Sequence, residues 1–179
     1  MLTGILVPGR AYDTEAPLFD IADFVLTARG HRIERIGWTV PPALLEIGPE
    51  PFVRAHVTAA LHTARADAPS ARPVLIAKSL GSYAAALAAE QRLPAIWLTP
   101  LLYEPAVVAA ITANPAPQLL VGGTEDFAWK PEQANATGKR LLEIPGADHS
   151  LRVPGPVSAY TDVLAEVGAA MERFLGSLE

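Results

Sequence analysis

The sequence contains no cysteine, which excludes a disulfide scaffold, a thiolate nucleophile and any cysteine-ligated zinc or iron–sulfur centre. This absence leaves the compartment open, because a thiol-free chain survives oxidising and reducing surroundings alike. Charge is scarce too: Asp, Glu, Lys and Arg make up 18% of the residues, with a net charge of -5. The Lys and Arg residues are scattered and form no run, so the clustered basic surface that a nucleic-acid partner requires is missing. No stretch reaches the roughly 18 uninterrupted apolar residues of a spanning helix. The opening residues lack the basic start and apolar core of a signal peptide and read as a first strand. The expectation is a cytoplasmic protein with neither a membrane nor a nucleic acid as partner.

Hydrophobic residues, by contrast, make up 50% of the 179 positions. That is enough to close the core of one domain over residues 1–179 without staples. Short apolar runs recur at residues 4–7, 32–36, 74–77, 95–98, 118–121 and 140–144. Those at 4–7, 74–77 and 118–121 are continuous, as in strands buried on both faces. Those at 32–36 and 140–144 mix in charge, as edge strands do. Between them lie helical stripes. Leu18, Ile21, Ala22, Val25 and Leu26 share one face, with Gly30 as a stop. Val53, Val57, Ala60, Leu61 and Ala64 share another, and a long final helix carries Val157, Tyr160, Val163, Leu164, Val167, Met171, Phe174 and Leu175. Strand–helix alternation of this kind predicts an α/β fold. Its sheet should be doubly wound, mostly parallel and six-stranded, with helices on both faces.

In such a sheet, ligands bind beyond the carboxyl ends of the strands. Three residues stand out there: Ser79, Asp126 and His149. Each has a plainer reading, since serines cap helices, aspartates form turns and a loop histidine can be structural. Glu125 competes with Asp126 for the acidic position. Of the other three histidines, His56 and His62 are six residues apart on one predicted helix. That spacing turns roughly 240° and gives no common metal face. His31 opens a strand and reads as a surface residue. No metal site and no cofactor are expected, and no glycine-rich nucleotide fingerprint follows a strand.

Taken together the three positions carry a resemblance. Ala77-Lys78-Ser79-Leu80-Gly81, set between a strand and an alanine-rich helix, resembles the nucleophile elbow of α/β-hydrolases, with Ala77 where glycine is usual. Gly123-Thr124-Glu125-Asp126 is similar to the turn that carries the acid in that family, and Gly146-Ala147-Asp148-His149-Ser150-Leu151 to its histidine loop. The order Ser, Asp, His also matches. The resemblance covers nearly the whole chain and lacks the antiparallel opening strands and any room for a cap. It implies a serine hydrolase of carboxylic esters or thioesters with small or exposed acyl groups, hence a small-molecule substrate. Its alternative is a non-catalytic binding or interaction module of the same fold. By the same resemblance, the backbone N–H groups of Leu80 and Arg10 form the oxyanion hole. Gly9, Tyr12, Leu101, Tyr103, Phe127 and Trp129 are pocket candidates, although Phe127 and Trp129 could equally be packing residues. The Arg10 side chain reads as an ordinary rim arginine or, less simply, as a partner for a substrate carboxylate.

Overall fold

The computed structural model describes residues 1–179. Its six strands are β1 (Leu2–Val7), β2 (Arg32–Arg35), β3 (Arg72–Lys78), β4 (Ala95–Leu98), β5 (Gln118–Gly123) and β6 (Arg140–Ile144). They form one sheet in the order β2-β1-β3-β4-β5-β6, and every pairing is parallel. The two charged strands, β2 and β6, are the edges, as their composition predicts. The helices are α1 (Pro17–Ala28), α2 (Leu44–Ile47), α3 (Pro49–Asp67), α4 (Ala85–Gln91), α5 (Pro105–Ala113), α6 (Pro131–Ala136) and α7 (Val157–Gly176). A 3-10 turn, Ser79–Ala84, joins β3 to α4.

Handedness assigns the helices to faces. The chain steps from β1 outward to β2, then reverses across β1 to β3 and continues to β6. Because parallel crossovers keep one hand, reversing the direction moves the crossover helix to the opposite face. So α1 packs with α7 on one face, while α3 and α4–α6 cover the other. The strands divide their side chains with period two. Leu6, Val74, Ile76, Ile96 and Val121 join the α1–α7 core, and Ile5, Leu75, Ala77, Trp97 and Leu120 join the other.

The reversal leaves a crevice at the carboxyl ends of β1 and β3. In the β1–β3 register Val7 lies opposite Ala77, so Pro8-Gly9 and Lys78-Ser79 leave the sheet side by side. Only residues 99–117 lie between β4 and β5, and they hold α5 and no cap. No helix is long and apolar enough to cross a membrane.

Helices α2, α5 and α6 escape the periodicity reading. Apolar residues run almost the whole length of α5, so no stripe stands out, while α2 and α6 are a turn or so long. Two expectations need correction. His31 is not a surface residue: its side chain is 4% exposed, with Nε2 3.0 Å from the Glu179 carboxylate. Its Nδ1 accepts the Leu2 N–H at 3.4 Å, because the strand start is covered by the end of the chain. Val157 begins α7 but is 80% exposed, since the stripe meets the sheet only from Val163 onward. Removing the buried Phe174 side chain by Phe174→Ala should cost about 3–5 kcal/mol in urea unfolding. Val157→Ala should stay within about 0.5 kcal/mol of wild type.

Candidate active site

Ser79 has a φ of 50°, a left-handed conformation in a residue that is not glycine. Such a conformation costs of order 1–3 kcal/mol and persists only where the surroundings enforce it. Here two neighbours do so. A Cβ at Gly81 would stand 2.8 Å from the Val7 carbonyl oxygen and 3.0 Å from that of Pro8, so only glycine lets the turn approach β1. Ser82, fully buried, donates its hydroxyl to the Ser79 carbonyl at 2.6 Å and accepts the Leu101 N–H at 3.2 Å. The result lifts the Ser79 side chain out of the sheet end.

His149 arrives from the loop after β6. Its Nε2 is 2.8 Å from Ser79 Oγ and its Nδ1 is 2.7 Å from Asp126 Oδ1. A carboxylate can only accept, so the proton of the neutral ring belongs on Nδ1 and leaves Nε2 to accept from the serine hydroxyl. Asp126 stands in the turn after β5. Its Oδ1 also accepts the Ala128 N–H at 2.8 Å, while its buried Oδ2 has no protein donor. Glu125 is exposed and makes no bond to the histidine. A Cβ at Gly123 would collide with the Ala147 carbonyl, so this glycine allows the two loops to touch. Asp148 is a turn residue whose Oδ1 accepts the N–H groups of Ser150 and Arg152.

A cavity of about 430 Å³ opens over Ser79. Gly9, Arg10, Tyr12, Leu101, Tyr103 and Phe127 line it, together with Leu44 and Leu45 from α2. The Phe127 ring lies 4.8 Å from that of His149 and is stacked with Tyr103 at 6.2 Å. The Arg10 N–H has no acceptor within the protein, and its side chain is exposed. Tyr12 also has a structural task, because its hydroxyl accepts the Leu18 N–H at the start of α1. Burial pushes its phenol up to about 12.

Trp129 does not line the cavity. It is buried, its ring covers Gly122, where no side chain would fit, and its Nε1–H donates to Glu143 at 2.6 Å. It is a core residue beneath the turn that holds Asp126.

Lys78, at the variable position of the elbow, is a site neighbour that the sequence alone does not single out. It is 1% exposed. Its Nζ donates to Thr99 Oγ1 and to the His149 carbonyl, both at 2.8 Å, and lies 4.7 Å from the centre of the Tyr12 ring. A lysine alternating in register with buried strand residues is the signal that could have revealed it. Burial pulls its ammonium down to about 8, against the opposing influence of Asp126 and Asp148.

No protein-family model matches the sequence, and no curated protein is similar to it. Solved structures are. A candidate hydrolase of the α/β superfamily from Xanthomonas campestris pv. campestris is 24% identical, with a TM-score of 0.73 and 99% of each chain covered. An α/β serine hydrolase without lid, also from Xanthomonas campestris, gives a TM-score of 0.74 at 14% identity, over 99% of this chain and 82% of the other. The fold is that of the α/β-hydrolases. An esterase from Pyrococcus furiosus shares it at a TM-score of 0.68 and 15% identity, over 97% of this chain and 83% of that one.

The sheet thus carries a buried lysine at the carboxyl end of β3, with a consequence for stability. Lowering the folded-state value of Lys78 from 10.5 to about 8 means that the charged form costs the fold about 3 kcal/mol near neutral pH. Between these values the unfolded chain holds more protons, so this cost is relieved as pH rises through them. Lys78→Met removes the charge at every pH. The stability of wild type relative to that variant should therefore rise by about 3 kcal/mol between pH 7 and pH 10.5 in urea unfolding. A gap that does not change with pH would refute the lowered value.

Proposed function

We propose that this protein is a serine hydrolase of carboxylic esters or thioesters, working through an acyl-enzyme on Ser79. The single observation that carries the reading is the unbroken chain Ser79 Oγ–His149 Nε2–Asp126 Oδ1, at 2.8 and 2.7 Å. A serine hydroxyl is a weak nucleophile until a base removes its proton. His149 takes that proton as Oγ bonds to the substrate carbonyl carbon, and Asp126 holds the ring and stabilises the imidazolium. The carbonyl oxygen becomes an oxyanion, received by the backbone N–H groups of Leu80 and Arg10. Donors of this kind contribute roughly 3–4 kcal/mol each. Collapse of this intermediate breaks the bond to the leaving alcohol or thiol, which takes the proton from His149. Water then repeats the sequence on the acyl-enzyme and frees the acid.

The open, uncapped mouth supports accessible substrates. Tyr103, Phe127 and Leu45 stand exposed around it, which favours an apolar or aromatic group on the substrate over a fully enclosed chain.

A fluorophosphonate probe, located by peptide mass spectrometry, should modify Ser79 and fail to do so in His149→Ala. No labelling of the folded wild type would shift the weight to a binding module of the same fold. On an ester that the enzyme turns over, kcat/KM should fall as the medium is made acidic, because only a neutral imidazole can accept the serine proton. A flat profile would count against histidine as the base.

A further inference from the structure

The loop after β1 runs between two hollows. The cavity over Ser79 lies on one side of it, and a second hollow of about 360 Å³ on the other. Gly9, Arg10, Ala11 and Tyr12 border both. Two hydrogen bonds hold the peptide groups on either side of Gly9. The Gly9 N–H donates to the Tyr12 carbonyl at 2.8 Å. The Gly9 carbonyl accepts from Trp38 Nε1 at 3.0 Å, and Trp38 borders the second hollow.

The Gly9 carbonyl and the Arg10 N–H belong to the same peptide unit. In a trans peptide these two groups point in opposite directions, and the chain has no cis peptide bond. Holding the carbonyl toward Trp38 therefore turns the Arg10 N–H away from it, toward the cavity that contains Ser79. Gly9 itself is close to the nucleophile: a Cβ on it would stand 3.6 Å from the Ser79 Cβ. Trp38 is held firmly in its turn. Its ring packs 5.3 Å from Phe52 and 5.5 Å, edge-on, from His56, both on α3.

We propose that Trp38 is a positioning residue for the oxyanion hole, its indole N–H fixing the Gly9–Arg10 peptide so that the Arg10 N–H faces the developing oxyanion. This rests on the hydrolase reading above and extends it to a residue from the loop after the edge strand β2, outside the three strand-end loops that carry the triad. The physics predicts a particular kinetic signature. A donor directed at charge that exists only in the transition state acts on kcat and leaves ground-state binding alone.

Two variants test it: Trp38→Phe, and replacement of Trp38 by 3-benzothienylalanine, which keeps the bicyclic shape and lacks the N–H. The expected result is a fall in kcat of about tenfold or more, up to the roughly 10²–10³ seen when an oxyanion donor is lost outright. KM should stay within about twofold. Affinity for a trifluoromethyl ketone, which forms an oxyanion on the serine, should fall in parallel with kcat, while affinity for the product acid does not move. An unchanged kcat in the folded benzothienyl variant would overturn the proposal. So would a loss in which KM and product affinity change as much as kcat, which is what a purely structural role would give. Wild-type labelling of Ser79 is the separate control: if it fails, the hydrolase reading is lost whatever Trp38 does.

Discussion

The site depends on one close approach, that of the turn after β3 to the end of β1. Gly81 permits it, and a single methyl group there would press on two carbonyl oxygens of the neighbouring strand end. Because the turn can come so near, Ser79 is raised in a left-handed conformation and the loop from Pro8 to Tyr12 lies beside it. The reversal of strand order between β1 and β3 supplies the crevice, and the glycine supplies the contact across it. The remaining partners are brought in by loops at the ends of β5 and β6. Those loops touch because Gly123 leaves space for the Ala147 carbonyl.

The sheet was legible in the sequence because buried parallel strands must be apolar on both faces, so runs such as Val74–Ala77 declare themselves. Strand order at the edges followed from charge in Arg32–Arg35 and Arg140–Ile144. Serine, aspartate and histidine could be picked out because each follows a predicted strand. What sequence could not supply was depth. Trp129 follows Asp126 by three residues, which predicts a place near the pocket, yet its ring is drawn inward by the space over Gly122 and by the Glu143 carboxylate. His31 opens a strand but is covered by a carboxylate at the far end of the chain, a contact no local pattern encodes. Lys78 resembled a filler of a variable position, and its burial appears only once β3 is placed between β1 and β4.

Lys78 also shows how a buried charge can be tolerated. Its ammonium has two oxygen acceptors and an aromatic face, so the polar group is satisfied although water is excluded. One of those acceptors is the carbonyl of His149 itself. The cost of dehydrating the amine is thus spent on a residue that also tethers the His149 loop, which couples a thermodynamic liability to the position of the imidazole.

Two local penalties, the left-handed Ser79 and the dehydrated Lys78, therefore sit side by side at the carboxyl end of β3. A laboratory selection for heat resistance alone would relax both, because glycine at the first position or an apolar side chain at the second lowers the strain. The survivors of such a selection would be sturdier proteins with an emptied or loosened centre. Under the proposed hydrolase activity, consensus or thermal engineering on this scaffold has to score turnover alongside melting temperature, and the pair 78–79 is where the two scores will pull apart.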